Sequence, residues 1–344
     1  MNRQINHLDE TKKASLTSRV IVALALIALA VPCIFLGGYF YFAFIFVFLL
    51  FAIYEMIHST RKKYSWYVYL ITYITVISYF IWFVIKGNLA SYAAYAENEM
   101  LADWHFSLEN SFKGISVSVY MVIISFFSYC LIGIIHKEFD FNDIMYLFGM
   151  SIFIGIGFQA LLFIRFYPFY AFQTFDAGFD TKAGVFKYWG SAVFFIFVVF
   201  TCIMNDTFAY FVGMFFGKHH MNERISPHKT WEGFFGGWLL GGLSGFVFVI
   251  LADYFGYSML PSVAIFNFSK DWWWIVLLSF TLPLVGDLGD FTFSLIKRHF
   301  NIKDYGTLLK AHGGVLDRVD SLSFCAIFAS LLVVFIANGW NFFI

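Results

Sequence analysis

The chain has 344 residues, of which 60% are hydrophobic and 13% are charged, and its 22 basic and 22 acidic residues give a net charge of zero. A soluble domain usually carries about 25% charged residues, so this composition excludes an ordinary soluble fold. It predicts an all-α polytopic integral membrane protein. Without an excess of positive charge, we expect no nucleic-acid partner.

Nine apolar runs are long enough to cross a bilayer, which takes about 20 residues in a helix. They cover residues 19–37, 39–58, 64–85, 115–135, 144–164, 189–216, 232–252, 272–296 and 319–340. About nine transmembrane helices are therefore predicted. Residues 1–18 form an N-terminal segment. Residues 19–344 form a single membrane domain, because no linker or internal repeat divides them.

The distribution of basic residues predicts how these helices are oriented. With the N-terminus in the cytoplasm, 16 of the 22 Lys and Arg residues fall in cytoplasmic segments. Such an excess is typical of the cytoplasmic side of a membrane protein. The loops at 218–231 and 297–318 then lie on the same, cytoplasmic side, where soluble nucleotides are found.

Glu55, Asn205 and Asp206 are polar side chains inside the apolar runs, where polar groups are costly. Glu55 is near the cytoplasmic end of the second run, and snorkelling and a functional role explain it equally well. Asn205 and Asp206 lie deep in the sixth run. For these two, we favour a metal or substrate contact over a structural hydrogen bond.

The segment GKHHMNERISPHKTWEGFFGG at 217–237 leads into the seventh run. Ser226 is placed to cap a short turn. Lys229 is explained equally well as an ordinary cytoplasmic anchor and as a substrate contact. The seventh run also carries six glycines, whose spacing favours close helix packing. They are Gly233, Gly236, Gly237, Gly241, Gly242 and Gly245.

Residues 286–321 combine acids and cations at a membrane boundary. The acids that are hard to place in a membrane are Asp287, Asp290, Asp317 and Asp320, and the cations are Lys297, Arg298, Lys303, Lys310 and Arg318. On a helix, Asp287, Asp290, Ser294 and Lys297 share one face. Carboxylates bind Mg²⁺, and Lys and Arg hold phosphates. This stretch therefore predicts chemistry on a phosphorylated substrate that is partly lipid.

Three ordered segments carry a resemblance to a known family. DTFAYFVG at 206–213 fits the pattern D-[ST]-x-A-Y-F-x-G, and SPHKTWEG at 226–233 fits S-P-x-K-T-W-E-G. The third pattern is matched by Ser294, Lys297, Arg298, Lys303, Asp304, Gly306, Leu309, His312, Gly313, Gly314, Asp317, Arg318 and Asp320. Residues 200–325 thus resemble the CDP-diacylglycerol synthase (phosphatidate cytidylyltransferase) family.

The chain departs from the family pattern at three places. Lys310 and Ala311 stand where the family usually has Pro-Gly before His-Gly-Gly, which removes a rigid turn and adds a cation. Phe293 replaces a common Glu before the motif serine, and Asp287 is an additional acid one turn before Asp290.

The resemblance implies that CTP and phosphatidate give CDP-diacylglycerol and pyrophosphate. It implies Mg²⁺ bound by Asp290 and Asp317, with Asp287, Asp320 or Asp206 as further ligands. Three cations would hold the phosphatidate headgroup and the pyrophosphate: Lys297, Arg298 and Arg318. The other substrate-binding residues would be Lys229, Ser294, Lys303, His312, Gly313, Gly314 and Asp206.

A CTP-dependent polyprenol or phytol kinase and a secondary transporter are the competing hypotheses. The kinase would release CDP, whereas the transporter would show inverted repeats, which we do not find. A bacterial cell membrane is the predicted location, with the lipid bilayer as a partner. The oligomeric state stays open, a homodimer included.

Overall fold

The computed structural model describes residues 24–95, 117–166, 182–257, 259, 268–306, 308 and 313–338. Within these residues the chain forms nine helices and one two-stranded sheet. The helices are α1 (Leu24–Leu36), α2 (Gly38–His58), α3 (Trp66–Tyr95), α4 (Val117–Ile135), α5 (Phe141–Phe166), α6 (Lys182–Phe216), α7 (Trp231–Tyr254), α8 (Phe268–His299) and α9 (Leu316–Asn338). The strands are β1 (His220–Asn222) and β2 (Ser226–Thr230).

Each of the nine predicted runs corresponds to one described helix. Five of these helices are long and apolar enough to cross a membrane, namely α2, α5, α6, α7 and α8. A helix satisfies its own backbone hydrogen bonds, which is the condition for crossing a lipid phase. The prediction of an all-helical, multi-pass membrane protein is therefore confirmed.

Helix α5 lies at the centre of the bundle and contacts α2, α3, α4, α6 and α9. Two buried tyrosine hydroxyls of this core bond to α5. Tyr41 of α2 donates from its hydroxyl to the carbonyl of Leu161 at 3.1 Å. The Tyr129 hydroxyl of α4 lies 3.0 Å from the Ser151 hydroxyl of α5. These bonds tie the helices together where an unpaired polar group would be costly.

Helices α6 and α7 form the most extensive helix pair. A Cβ on Gly237 would lie 2.7 Å from the Cβ of Ala209, and a Cβ on Gly241 would lie 2.8 Å from the Cα of Asn205. Only glycine lets the two backbones approach this closely. The packing role predicted for the α7 glycines is therefore confirmed.

A short antiparallel hairpin connects α6 to α7, with His220 opposite Thr230 and Asn222 opposite Ser226. The sequence interpretation of Ser226 as a cap is wrong, because Ser226 begins β2. The turn is held by Asn222, whose Oδ1 accepts from the N–H groups of Arg224 and Ile225. Helix α7 is capped by Thr230, whose Oγ1 accepts a hydrogen bond from the Gly233 N–H at 3.2 Å. This cap satisfies one of the free N–H groups at the start of α7.

Candidate active site

The acidic face of α8 is formed as the spacing predicts. Asp287, Asp290, Ser294 and Lys297 all lie on one continuous helix. The Ser294 hydroxyl donates to Asp290 Oδ1 at 3.3 Å, as expected for neighbours on a helix surface. The face is therefore built locally, from side chains one turn apart.

Lys229 of β2 reaches across to this face. Its Nζ lies 2.7 Å from Asp290 Oδ2 and 3.4 Å from Asp287 Oδ1. It also lies 4.4 Å from the ring centre of Phe291. Burial lowers the pKa of Lys229, but the carboxylates of Asp290 and Asp287 outweigh it, so its pKa is raised above the ordinary value. Lys229 is thus a protonated member of the site and more than a surface anchor.

A cavity of about 450 Å³ opens beside this cluster. Its walls include Asp206 of α6, Lys229 of β2, Gly233 of α7, and Asp287 and Asp290 of α8. Sites for small molecules usually have about 300–1,000 Å³. Charges of both signs around a space of this size suit a ligand that carries phosphates and a cation together.

A second charged cluster joins α8 to α9. Lys297 Nζ lies 2.9 Å from Asp317 Oδ1. Asp317 Oδ2 accepts from the backbone N–H groups of Tyr305, at 2.8 Å, and Gly314, at 2.9 Å. Neither Lys297 nor Asp317 lines the cavity. The four acids predicted to bind metal are therefore divided between two clusters. Asp287 and Asp290 contact Lys229, whereas Asp317 contacts Lys297.

The fourth acid, Asp320, is buried one turn further along α9. Its Oδ1 accepts from the N–H of Ser321 at 2.8 Å. Here α8 and α9 touch, because a Cβ on Gly289 would lie 2.9 Å from the carbonyl oxygen of Asp320. The two charged clusters are therefore neighbours across one close helix contact.

Arg298 holds backbone groups in this structure. Its Nε donates to the carbonyl of Ile225 at 3.1 Å, and its Nη1 donates to the carbonyl of Ile302 at 3.2 Å. It therefore fastens the hairpin to the end of α8. Lys303 and Arg318 are both exposed.

The predicted His-Gly-Gly phosphate loop is described only in part. His312, Lys310 and Ala311 lie outside the described residues. Gly313 has a φ of 80°, which favours glycine. The Gly314 N–H, expected to point to a phosphate, donates to Asp317 in this structure.

The carboxylates that line the cavity, together with Asn205 next to Asp206 in the sequence, fit a hard cation such as Mg²⁺. Asp287 Oδ2 and Asn205 Oδ1 are buried and have no hydrogen-bond partner among the described residues. Unsatisfied buried oxygen acceptors are costly, and carboxylate and amide oxygens are the donors that Mg²⁺ prefers. Among the described residues, no group of three or more His, Cys, Asp or Glu side chains is arranged to hold a metal ion. The magnesium site stays a prediction.

Of the two explanations left open for Glu55, snorkelling does not describe the structure. Glu55 is buried, and its carboxylate accepts hydrogen bonds from backbone N–H groups at the start of α9. The sequence shows an acid in an apolar run but does not show this partner, because the partner is 260 residues away.

Fold and site together define a multi-pass membrane protein whose charged cavity is built by α6, the hairpin, α7 and α8. The sequence profile of the cytidylyltransferase family matches residues 17–336. The chain belongs to this family.

Several bacterial proteins named phosphatidate cytidylyltransferase are similar to the chain. The protein of Staphylococcus saprophyticus is 31% identical over 198 residues, which cover 58% of this chain and 62% of the relative. The Bacillus subtilis protein is 35% identical over 140 residues, covering 40% and 47%. The Staphylococcus aureus protein is 40% identical over 131 residues, covering 38% and 45%. The chain thus spans less than two thirds of the length of the curated relatives it matches.

The raised pKa of Lys229 gives a testable expectation for stability. A folded-state pKa above the ordinary 10.5 means that the ion pairs contribute fully below about pH 10.5 and are lost only as pH rises through the folded pKa. In EDTA, Lys229→Met should therefore lower the unfolding temperature by the same amount at pH 7 and at pH 9. A smaller gap in unfolding temperature between wild type and Lys229→Met at pH 9 than at pH 7 would contradict the raised pKa of Lys229.

Proposed function

We propose that the protein transfers the cytidylyl group of CTP to phosphatidate, giving CDP-diacylglycerol and pyrophosphate. The observation that carries the proposal is the Lys229 contact with Asp290 and Asp287, which joins the 226–233 segment to the acidic face of α8 around one cavity. The names of the bacterial relatives support the substrates.

The reaction needs no general base. An oxygen of the phosphatidate phosphate attacks the α-phosphorus of CTP, and a new P–O bond forms. The bond from that phosphorus to the oxygen bridging to the β-phosphorus breaks, and its electron pair leaves with pyrophosphate. Because the nucleophile is already anionic, catalysis consists of positioning the two substrates and neutralising their charge.

Each charged cluster has a part in this proposal. Lys229 would bind the CTP phosphates in the cavity, and the Lys297–Asp317 pair and Arg318 would bind the phosphatidate headgroup and the leaving pyrophosphate. Asp287 and Asp290 would hold Mg²⁺, with Asp206 and Asn205 beside them. When bound, the ion supplies positive charge to the triphosphate.

The proposal extends to the membrane. All nine predicted spans would cross the bilayer of a bacterial cell membrane, with the N-terminus in the cytoplasm. Both charged clusters would then face the cytoplasm, where CTP is found, while the acyl chains of phosphatidate stay in the lipid. The arrangement is compatible with a homodimer.

The test follows a label placed on the α-phosphate of CTP. Purified protein in detergent is supplied with phosphatidate, Mg²⁺ and labelled CTP. We expect the label in a chloroform-soluble product and release of pyrophosphate. Label left in water as CDP would support a CTP-dependent lipid kinase instead. No turnover of CTP with phosphatidate would overturn the proposed activity and favour a lipid kinase with another substrate or an inactive relative.

Arg318 gives a specific expectation within this assay. Arg318→Lys keeps the charge but removes the planar fork that binds phosphate through two N–H groups. Loss of one charge-assisted hydrogen bond, worth about 1.5–3 kcal/mol, should lower kcat/KM roughly 10- to 100-fold.

The matched control is Arg61→Lys, at an exposed arginine just beyond the end of α2. It should leave kcat/KM within about twofold of wild type, as is usual for surface substitutions. An unchanged kcat/KM in Arg318→Lys would remove Arg318 from the phosphate site.

A further inference from the structure

Glu55 is a buried acid that accepts hydrogen bonds from a distant helix end. Its side chain lies in the last turn of α2 and the residue is 4% exposed. Oε1 accepts from the N–H of Val315, and Oε2 accepts from the N–H of Leu316, both at 2.9 Å. Leu316 is the first residue of α9, so both N–H groups would otherwise lack a partner. A carboxylate is also favoured at a helix N-terminus by the helix dipole.

Two glycines make room for this carboxylate. A Cβ on Gly306 or on Gly314 would collide with the carboxylate of Glu55. Gly306 precedes α9 in the chain by ten residues, and Gly314 lies just before it. The carboxylate is therefore enclosed by the same backbone that leads into α9.

Glu55 and Asp317 bind the same turn of backbone from two sides. Glu55 takes the N–H groups of Val315 and Leu316, and Asp317 takes the N–H of Gly314. Asp317 in turn meets Lys297 at 2.9 Å. The orientation of this ion pair therefore depends on how the first turn of α9 is held, and Glu55 is the contact from α2 that holds it.

We infer that Glu55 is a positioning residue that sets the Lys297–Asp317 pair for the phosphatidate headgroup. The inference rests on the proposed function, because it assigns that pair to the lipid phosphate. It extends the site to α2, which none of the three family segments reaches. Glu55 itself touches neither cavity acid, Asp287 or Asp290, among the contacts of the described residues.

The test replaces Glu55 by Gln. One amide oxygen can still accept from one N–H, but the amide NH₂ then faces the other N–H. The first turn of α9 should shift, and a misplacement of about 1 Å can cost about 100-fold in rate. We expect kcat to fall roughly 10- to 100-fold and the KM for phosphatidate to rise about tenfold. The KM for CTP should stay within about twofold, because Lys229 is unaffected.

Asp143→Asn serves as the matched control. Asp143 is also 4% exposed and accepts from Lys62 Nζ at 2.7 Å and from the Tyr64 hydroxyl at 2.8 Å, and neither partner belongs to α9. This variant should lose stability and leave both KM values unchanged. A loss of folded protein lowers the apparent kcat alone, so the KM for phosphatidate separates positioning from a purely structural role.

Amide hydrogen exchange of residues 313–320 gives a readout that needs no activity. Exchange at Val315 and Leu316 should be about tenfold faster in Glu55→Gln than in wild type or in Asp143→Asn. If Glu55→Gln does not fold, Glu55→Asp carries the same measurements, because it shortens the side chain by one methylene and keeps the charge. We expect intermediate values for Glu55→Asp.

Two results would overturn the inference. One is wild-type exchange at Val315 and Leu316 in the Gln variant, and the other is a wild-type KM for phosphatidate in a folded Gln variant. A wild-type protein that makes no CDP-diacylglycerol would overturn the proposed function and the kinetic part of the inference with it. That failure is recognised separately, because slow exchange at the two amides would still establish the contact.

Discussion

Replacing Asp290 by Asn is expected to lower kcat about 1,000-fold while the protein stays folded and inserted in the membrane. Asp290 holds Lys229 at 2.7 Å and provides an oxygen for the proposed Mg²⁺. Asn has nearly the same shape, so packing is kept, but the negative charge that orients Lys229 and attracts the metal is lost. The measurement is the transfer of label from CTP into lipid at saturating substrates.

Asp253→Asn is the control for this experiment. Asp253 is an exposed acid near the end of α7, more than 20 residues from the hairpin end of that helix, or about 30 Å along its axis. Its kcat should stay within about twofold of wild type. Near-normal turnover in Asp290→Asn would refute the role given to the Lys229 cluster.

Asp317→Asn is expected to lower kcat by a similar factor, about 1,000-fold, and also to lower the unfolding temperature. Both Asp317 oxygens are engaged, one by Lys297 and the other by the N–H groups of Tyr305 and Gly314. An amide offers only one acceptor oxygen. Either the cation or the two N–H groups lose their partner, which costs about 1–3 kcal/mol.

A double-mutant cycle with Lys297→Met tests whether the pair acts as a unit. If it does, the double variant should be little worse than Asp317→Asn alone, because residues in contact are not additive. If kcat of the double variant falls by the product of the two single-variant factors, Lys297 and Asp317 act independently. Unfolding temperatures of all three variants separate this effect from a loss of folded protein.

The local part of the structure could be predicted from the sequence. Apolar runs determine helices because a membrane admits little else, and each of the nine runs has its helix. The α8 face follows from residues three and four apart, so Asp290 and Ser294 meet as expected. The α7 glycines likewise indicate close packing before the neighbour is known.

The remaining features depend on contacts between distant segments. The hairpin has short polar strands with Pro227 inside β2, so no alternation of apolar residues reveals it. The separation of Asp317 from Asp287 and Asp290 depends on how α9 packs on α8. The partner of Glu55 is fixed only by the tertiary fold. The family segments indicate which residues matter, but not which of them touch.

The glycine-lined contact between α6 and α7 would restrict the path of the proposed lipid substrate. At Gly237 and Gly241 helix α7 contributes no side chain, and its backbone lies directly against Ala209 and Asn205 of α6. An acyl chain sliding in from the bilayer would have to separate the helices themselves and break this close packing. At Gly237 and Gly241 the boundary between α6 and α7 therefore leaves no gap for an acyl chain, and in the proposed function phosphatidate would approach the charged clusters by another route.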